Sequence, residues 1–431
     1  MLRRYLTTFD SFMLYTTSVV GLGLIVLPSI AARAVGAWSI VIWIALGLLS
    51  FPMARVMGEL GRRHPSAGGV TEFIGVALGP RTADLTSVLY LVAMLVGPVA
   101  SSLFFAEYLG VLVELGRGGR VIAGAGFLWA LVGLNLMAVE TTTRLQRALF
   151  FGFFLLAAAG VALSMTHVDP ARLVAFHGVA IGGILSMTFL CFHAFIGWEH
   201  AAFSSEEMVD PASLVKAVTA SVVVVTATFA ALGIAVVGAV APDTLARSNA
   251  ALADLLAASL GDNASLVTAG VAIVVIFMMM LTWVRGGSRL LYATARRGLA
   301  PGALSRVNAR TGAPAPALIA LGVAWTLSLA VYYVFGVDVQ RYLRLANANY
   351  IMTYLFIFVA AVRLLRHEAR LLASAAISLA AVIFLLAIGY ADLWYPALTA
   401  VLFFAVTYAR SAFRTAAAQP PITKKPARAG G

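Results

Sequence analysis

Apolar runs about twenty residues long recur along almost the whole chain, from near Phe9 to near Ala409, with short polar connections between them. A helix needs roughly 20 apolar residues to cross the hydrocarbon core of a bilayer. Lipid offers no hydrogen bonds, so a spanning segment must satisfy its own backbone, and a helix does so. The pattern predicts twelve spans. The first five cover 9–33, 38–60, 84–113, 121–139 and 146–166. The next five cover 180–208, 216–240, 265–294, 316–335 and 341–364, and the last two 370–389 and 394–411.

Composition agrees. The chain is 61% hydrophobic and 11% charged, against roughly 45–50% and about 25% for soluble domains. The expected class is an all-α polytopic membrane protein with the lipid bilayer as its partner. A formal charge of +12 would suit nucleic acid, but the basic residues sit in short connections: Arg62 and Arg63, Arg144 and Arg147, Arg296 and Arg297, Arg306 and Arg310, Arg366 and Arg370. Loops of this kind stay on the cytoplasmic side. The reading is therefore no nucleic-acid partner, both termini cytoplasmic, and residence in the cell inner (plasma) membrane. The apolar run after "MLRRY" exceeds the 7–15 residues of a signal-peptide core and reads as a retained first helix. Cys191 is the only cysteine, so no disulfide forms within the chain.

Two stretches fall outside the spans. Residues 243–263 are too polar to cross and read as an external loop with an amphipathic helix. Residues 412–431 are basic and Pro-containing and read as a disordered cytoplasmic tail.

Two spans are interrupted by glycine. The first holds "VVGLGLIVLP", with Gly21, Gly23 and Pro28, and the sixth holds "CFHAFIGWEHAAF", with Gly197 before the ionisable pair Glu199–His200. Freed backbone at membrane depth survives only against protein or a water-filled cavity. Broken helices at corresponding places in two halves point to a transporter's substrate site.

Three stretches carry a resemblance: "VVGLGLIVLPSIAARAVG" (Val19 to Gly36), "GRRHPSAGGVTEFIGVALGP" (Gly61 to Pro80) and "SRLLYATARRGLAPGALSRVNARTGAPAPAL" (Ser288 to Leu318). They resemble the amino acid–polyamine–organocation (APC) superfamily, and within it bacterial methionine and branched-chain amino acid exporters. The resemblance implies a LeuT-type fold of two inverted five-helix repeats, at about 9–166 and 180–364. Two extra helices at about 370–411 would complete a transporter domain over 1–411. It also places a substrate site between helices one and six.

Residues expected at that site are Gly21, Leu22, Gly23 and Leu24 on the first break, and His193, Phe195, Ile196, Gly197 and Trp198 on the second. The restarted half-helix after Gly23 offers N–H groups to a carboxylate. Carbonyls at Ser18–Gly21 and Phe195–Gly197 would suit an ammonium group. Leu22 stands where the family commonly has a hydroxyl, and His193 where it often has an aromatic gate. Glu199 has three open readings: proton carrier, acceptor for helix-one N–H groups, or substrate ligand. Arg285 is either an electrostatic stand-in for a coupling cation or a snorkelling side chain. Sodium coupling is disfavoured, because the helix-eight stretch "MMMLTWVRGGS" offers only Thr282 and Ser288 as hydroxyls, with no adjacent pair. Glu206, Glu207 and Asp210 read as solvated or paired with loop arginines, and Asp210–Pro211 as a helix terminator.

The expected function is secondary active transport, as an exporter or antiporter, of small zwitterionic and hydrophobic amino acids. The alternative is a proton-coupled permease for amines or modified amino acids; a channel is a third reading. No enzymatic constellation, cofactor or metal site is expected.

Overall fold

The computed structural model describes residues 4–137, 139–176, 178–247, 255 and 264–418, with side chains for all of these except 22, 139–142, 246–247, 264 and 409–418. Among them, the secondary structure is helical apart from an isolated parallel bridge between Leu6 and Met208.

Span one is Thr8–Val19 followed after a break by Leu22–Val35, bent by 43°. Spans two to five are Trp38–Arg63, Pro80–Leu112, Arg117–Leu136 and Val139–Met165. Span six is Ile181–Phe192, continued beyond a second break by His200–Phe203. Spans seven to nine are Leu214–Ala239, Ala264–Arg296 and Ala315–Phe335. Spans ten to twelve are Val339–Leu364, Ala369–Ile388 and Trp394–Ala418. Up to twelve membrane-crossing elements result when the two halves of span one count together. The chain is a multi-pass all-α membrane protein.

Local chemistry explains several starts. Thr7 and Asp10 form a reciprocal capping box at span one, the Thr7 hydroxyl accepting from Asp10 N–H and the Asp10 carboxylate accepting from Thr7 N–H. Pro80 occupies the first turn of span three, where its missing N–H costs nothing. Asp338 caps span ten by accepting from Gln340 N–H. Asp210 accepts from Ala212 N–H and so opens the turn into span seven, rather than ending span six.

Other boundaries shifted. The last helix continues to Ala418, past the expected start of a tail at 412, because "RSAFRTAAA" has good helix formers and no breaker; residues 419–431 lie outside the described residues. Of the loop 243–263, a short helix Pro242–Arg247 is described, and most of the remainder lies outside. An additional helix, Val70–Leu78, follows Gly69, whose φ of +54° ends the preceding turn.

Burial orders the bundle. In spans eight and ten 67% of the most apolar stretch is buried, against 17% in span twelve, so eight and ten are central and twelve peripheral. Outward residues such as Leu155, Phe335 and Val401 are exposed, as lipid-facing side chains are. Span three packs against both eight and ten, and span seven packs on two and on the first half of one. Trp43 and Phe229 stack where spans two, six and seven meet, and Phe195 packs tilted against both, holding the second break against the bundle.

Candidate functional site

At the first break, Gly21 precedes the restarted helix with φ −147° and ψ −142°, and no side chain caps it. A Cβ at Gly21 would collide with the sulfur of Met279, and one at Gly23 would stand 2.7 Å from Cβ of Ala194. Glycine here lets spans eight and six close on the break. Leu24 N–H turns back to the Gly21 carbonyl at 3.0 Å. The first-turn amides of the second half have no i−4 carbonyl, so an acceptor in front of them would be held by N–H groups and the positive helix end.

The second break starts where Ile181–Phe192 tightens into a 3₁₀ turn at His193–Phe195, after which Ile196 is extended. Gly197 then takes φ +136°, a region open to glycine and strained for other residues. A Cβ there would also lie 2.8 Å from the Ser18 carbonyl. The two breaks touch directly: the Ser18 hydroxyl donates to the Gly197 carbonyl at 3.1 Å. The Ser18 carbonyl accepts the Trp283 indole N–H at 2.8 Å, so this carbonyl is already engaged.

Between the breaks lies a cavity walled by Gly21 and Gly23 of span one, Gly97, Pro98 and Ser101 of span three, and His193 and Ile196 of span six. Met279, Met280 and Trp283 of span eight and Tyr350 of span ten complete it. It offers about 50 Å³ to the centres of water-sized molecules, room for a few waters. His193 Nδ1 lies 3.3 Å from Asn347 Oδ1, tying the wall of span six to span ten.

Of the residues expected at the site, Gly21, Gly23, His193 and Ile196 border the cavity. Leu24, Phe195 and Trp198 are buried in the packing around it, and Gly197 meets Ser18. The Leu22 side chain lies outside the described residues.

Glu199 is fully buried and stands outside the cavity wall. Its Oε2 accepts from Gly197 N–H at 3.1 Å and the Tyr354 hydroxyl at 2.5 Å, and its Oε1 from the Tyr90 hydroxyl at 3.0 Å. The carboxylate therefore satisfies backbone freed by the break in its own span and binds it to spans three and ten. Among the described residues its donors include no N–H group of span one. His200 packs edge-on against Trp283, with ring centroids 4.9 Å apart.

Arg285 does not snorkel. It is buried and reaches Glu207 at 3.3 Å, as Arg289 does at 2.8 Å. Glu207 is likewise buried, paired with span eight and not with loop arginines. A further junction joins spans one, five and eight, where the Gln146 amide donates to Thr17 Oγ1 at 3.0 Å and to Thr282 Oγ1 at 2.7 Å. Tyr90, Tyr354, Gln146 and Thr17 escaped the sequence reading. The signal available was a polar atom inside an apolar span, which usually seeks a partner on another helix.

The amino acid permease family profile matches residues 6–422 of the chain. The chain is similar to the L-methionine/branched-chain amino acid exporter YjeH of Escherichia coli, 26% identical over 390 residues, 88% of this chain and 91% of the relative. It is similar to the branched-chain amino acid permease BcaP of Bacillus subtilis, 24% identical over 388 residues, 85% of this chain and 82% of the relative. The uncharacterized amino acid permease YecA of Bacillus subtilis is 26% identical over 369 residues, 84% of this chain and 86% of that one.

Proposed function

The chain belongs to the amino acid permease family of the APC superfamily, and from that premise we propose that it carries small zwitterionic, hydrophobic amino acids across the membrane by alternating access. Membership supports a transporter and not an enzyme. The observation that carries the proposal is the cavity between the two breaks. The first break borders it at Gly21 and Gly23, where no side chain caps the restarted helix, and the second break forms another wall at His193 and Ile196.

In this reading the substrate carboxylate meets the first-turn amides of the second half of span one. The ammonium takes backbone carbonyls along Val19–Val20 and the 3₁₀ turn, since the Ser18 carbonyl is occupied by Trp283. The apolar side chain lies against Ile196, Met279 and Met280. The cavity is smaller than a branched amino acid needs, so Met279 moves aside on binding; its unbranched chain makes that inexpensive. Glu199 braces span six, so that the broken helix moves as one piece.

Two inverted repeats, 9–166 and 180–364, would supply the rocking elements. Export or antiport is proposed from the similarity to the exporter of Escherichia coli, as is a place in the cell inner membrane with both termini cytoplasmic. The absence of a hydroxyl at Leu22 favours a second reading: an amine or modified amino acid whose carboxylate matters less.

The test is counterflow in proteoliposomes holding the purified full chain. Unlabelled leucine or methionine inside is expected to drive saturable uptake of the labelled amino acid. Exchange of a diamine with no exchange of leucine would move the assignment to the second reading. Non-saturable flux would replace transport by a channel.

A further inference from the structure

Past the Trp283 ring, the bundle holds a second polar centre that the cavity does not include. Arg285 and Arg289, about one turn apart on span eight, share the carboxylate of Glu207. Their side chains are 6% and 3% exposed and that of Glu207 is 2% exposed. Two guanidiniums against one carboxylate leave one positive charge unmatched within the cluster. Two donors, Arg285 Nη2 and Arg289 Nε, have no hydrogen-bond partner among the described residues. Beside them is a hollow of about 10 Å³, walled also by His200, Ser204 and Thr282, enough for about one water. Buried guanidinium donors are unfavourable without an acceptor, and these two face a hollow in which a further acceptor can meet them.

The position of the cluster indicates what that group is. Trp283 borders the substrate cavity and His200 borders the hollow, and their edge-on rings separate the two. On the other side, the Glu207 carbonyl accepts Tyr5 N–H at 2.9 Å and Leu6 N–H at 3.0 Å, while the Arg285 guanidinium stacks 5.1 Å over the Tyr5 ring. Arg4 and Glu206, the neighbours of Tyr5 and Glu207, line an open vestibule. The cluster thus stands between the cavity and the face that bears the N-terminal segment. Glu207 is tied by its backbone to that segment, whereas the arginines belong to span eight. Parting these elements would withdraw Glu207 and leave the arginines behind.

We propose that Arg285 and Arg289 form a second carboxylate site on the route between the cavity and the N-terminal face, occupied by Glu207 as an internal stand-in while that route is closed. Resting on the transport reading above, the proposal gives the ligand as the carboxylate of the transported amino acid. Guanidinium forks hold a carboxylate with two parallel N–H bonds, which an ammonium point charge does not. Competition from Glu207 keeps the site weak, as a station on a route has to be.

The experiment follows thermal unfolding of the full chain in detergent at constant ionic strength, titrated with 4-methylpentanoate, which is leucine without its amino group. Parallel titrations use chloride and 3-methylbutylamine. In Glu207→Gln, stabilisation by the carboxylate is expected at about tenfold lower concentration than in the unaltered chain, the worth of one charge-assisted hydrogen bond. Adding Arg285→Met and Arg289→Met is expected to abolish that gain, and the amine to stabilise none of the variants. Glu207→Asp keeps the charge and withdraws it by one methylene, so it serves if Glu207→Gln does not fold; it is expected to show a smaller gain. An unchanged response in both Glu207 variants, or a gain that survives loss of both arginines, overturns the proposal. Chloride acting as well as the carboxylate also overturns it, in favour of an inorganic anion site. Failure of amino acid counterflow alongside a positive carboxylate titration would count against the transport reading and not against the site.

Discussion

The Tyr354 hydroxyl donates to Oε2 of Glu199 at 2.5 Å, joining span ten to the break in span six at a point remote in sequence. Tyr90 holds the other oxygen, so a carboxylate buried beside a helix break has a donor on each oxygen. Glu199→Gln places an NH₂ group opposite one set of these donors. The expected cost is about 1.5–3 kcal/mol, the range for hydrogen bonds to charged groups, seen as lower thermal stability and slower counterflow. Tyr354→Phe is expected to do the same, and the double variant to lose less than the sum, with coupling of about 0.5–3 kcal/mol. Additive losses would mean that the two residues do not act as a unit. Transport that stays fast in Glu199→Gln but loses its pH dependence would instead make Glu199 a proton carrier.

Met279 fills the space a Cβ at Gly21 would need and also walls the cavity. Met279→Ala is expected to enlarge the cavity and shift preference toward bulkier amino acids. One methylene in an apolar pocket changes selectivity by about 10–200-fold, so phenylalanine should gain on leucine by at least about tenfold in competition counterflow. An unchanged preference order would remove Met279 from the substrate pocket.

The spans and both breaks are legible in the sequence because their causes are local: apolar length, Gly21 and Gly23, and Gly197 ahead of two ionisable residues. The partners of those residues are not local. Tyr90 and Tyr354 look like ordinary aromatics in apolar runs, and only the packing of three, six and ten turns their hydroxyls onto Glu199. Arg285 follows the same logic. An arginine inside an apolar span suggests snorkelling, but Glu207 of a different segment supplies a buried carboxylate partner that the sequence does not reveal. Helix Val70–Leu78 is too short for an apolar period to stand out, and tertiary contact with spans three and ten supports it.

Outside the spans, Glu368 accepts a fork from Arg63 at 2.5 and 2.8 Å, joining the connection after span ten to the end of span two. The hydrogen bond from Arg63 holds its carboxyl below the usual carboxylate range. A carboxyl with a lowered folded-state pKa adds stability above its unfolded pKa, and that contribution is lost as pH falls through the folded value. Glu368→Gln is therefore expected to lower the melting temperature slightly near neutrality. The difference from the unaltered chain should shrink as pH drops below about 4.3, and also in high salt, because the pair is exposed. Leucine counterflow should be unaffected. A difference that grows on acidification would contradict this role.

The Gln146 amide stands between spans one and eight, with Thr17 and Thr282 only 3.2 Å apart beside it. Two hydroxyls facing each other there would be an opening for a cation, which needs oxygen ligands at 2.3–2.6 Å if it is calcium-sized. Here an NH₂ group already donates to both oxygens, and Thr17 Oγ1 in turn lies 3.1 Å from the Leu14 carbonyl. A donor that satisfies these oxygens leaves a metal ion nothing to replace water with. Counterflow is accordingly expected to proceed at the same rate when sodium is exchanged for potassium or choline. Gln146→Leu strips both threonines of their donor within a buried junction, at about 1–3 kcal/mol, and should slow exchange and lower thermal stability. Gln146→Lys, whose ammonium can donate to both hydroxyls, should restore much of each. A clear stimulation by sodium, or a lysine variant no better than leucine, would show that the junction works by shape and not by donating hydrogen bonds.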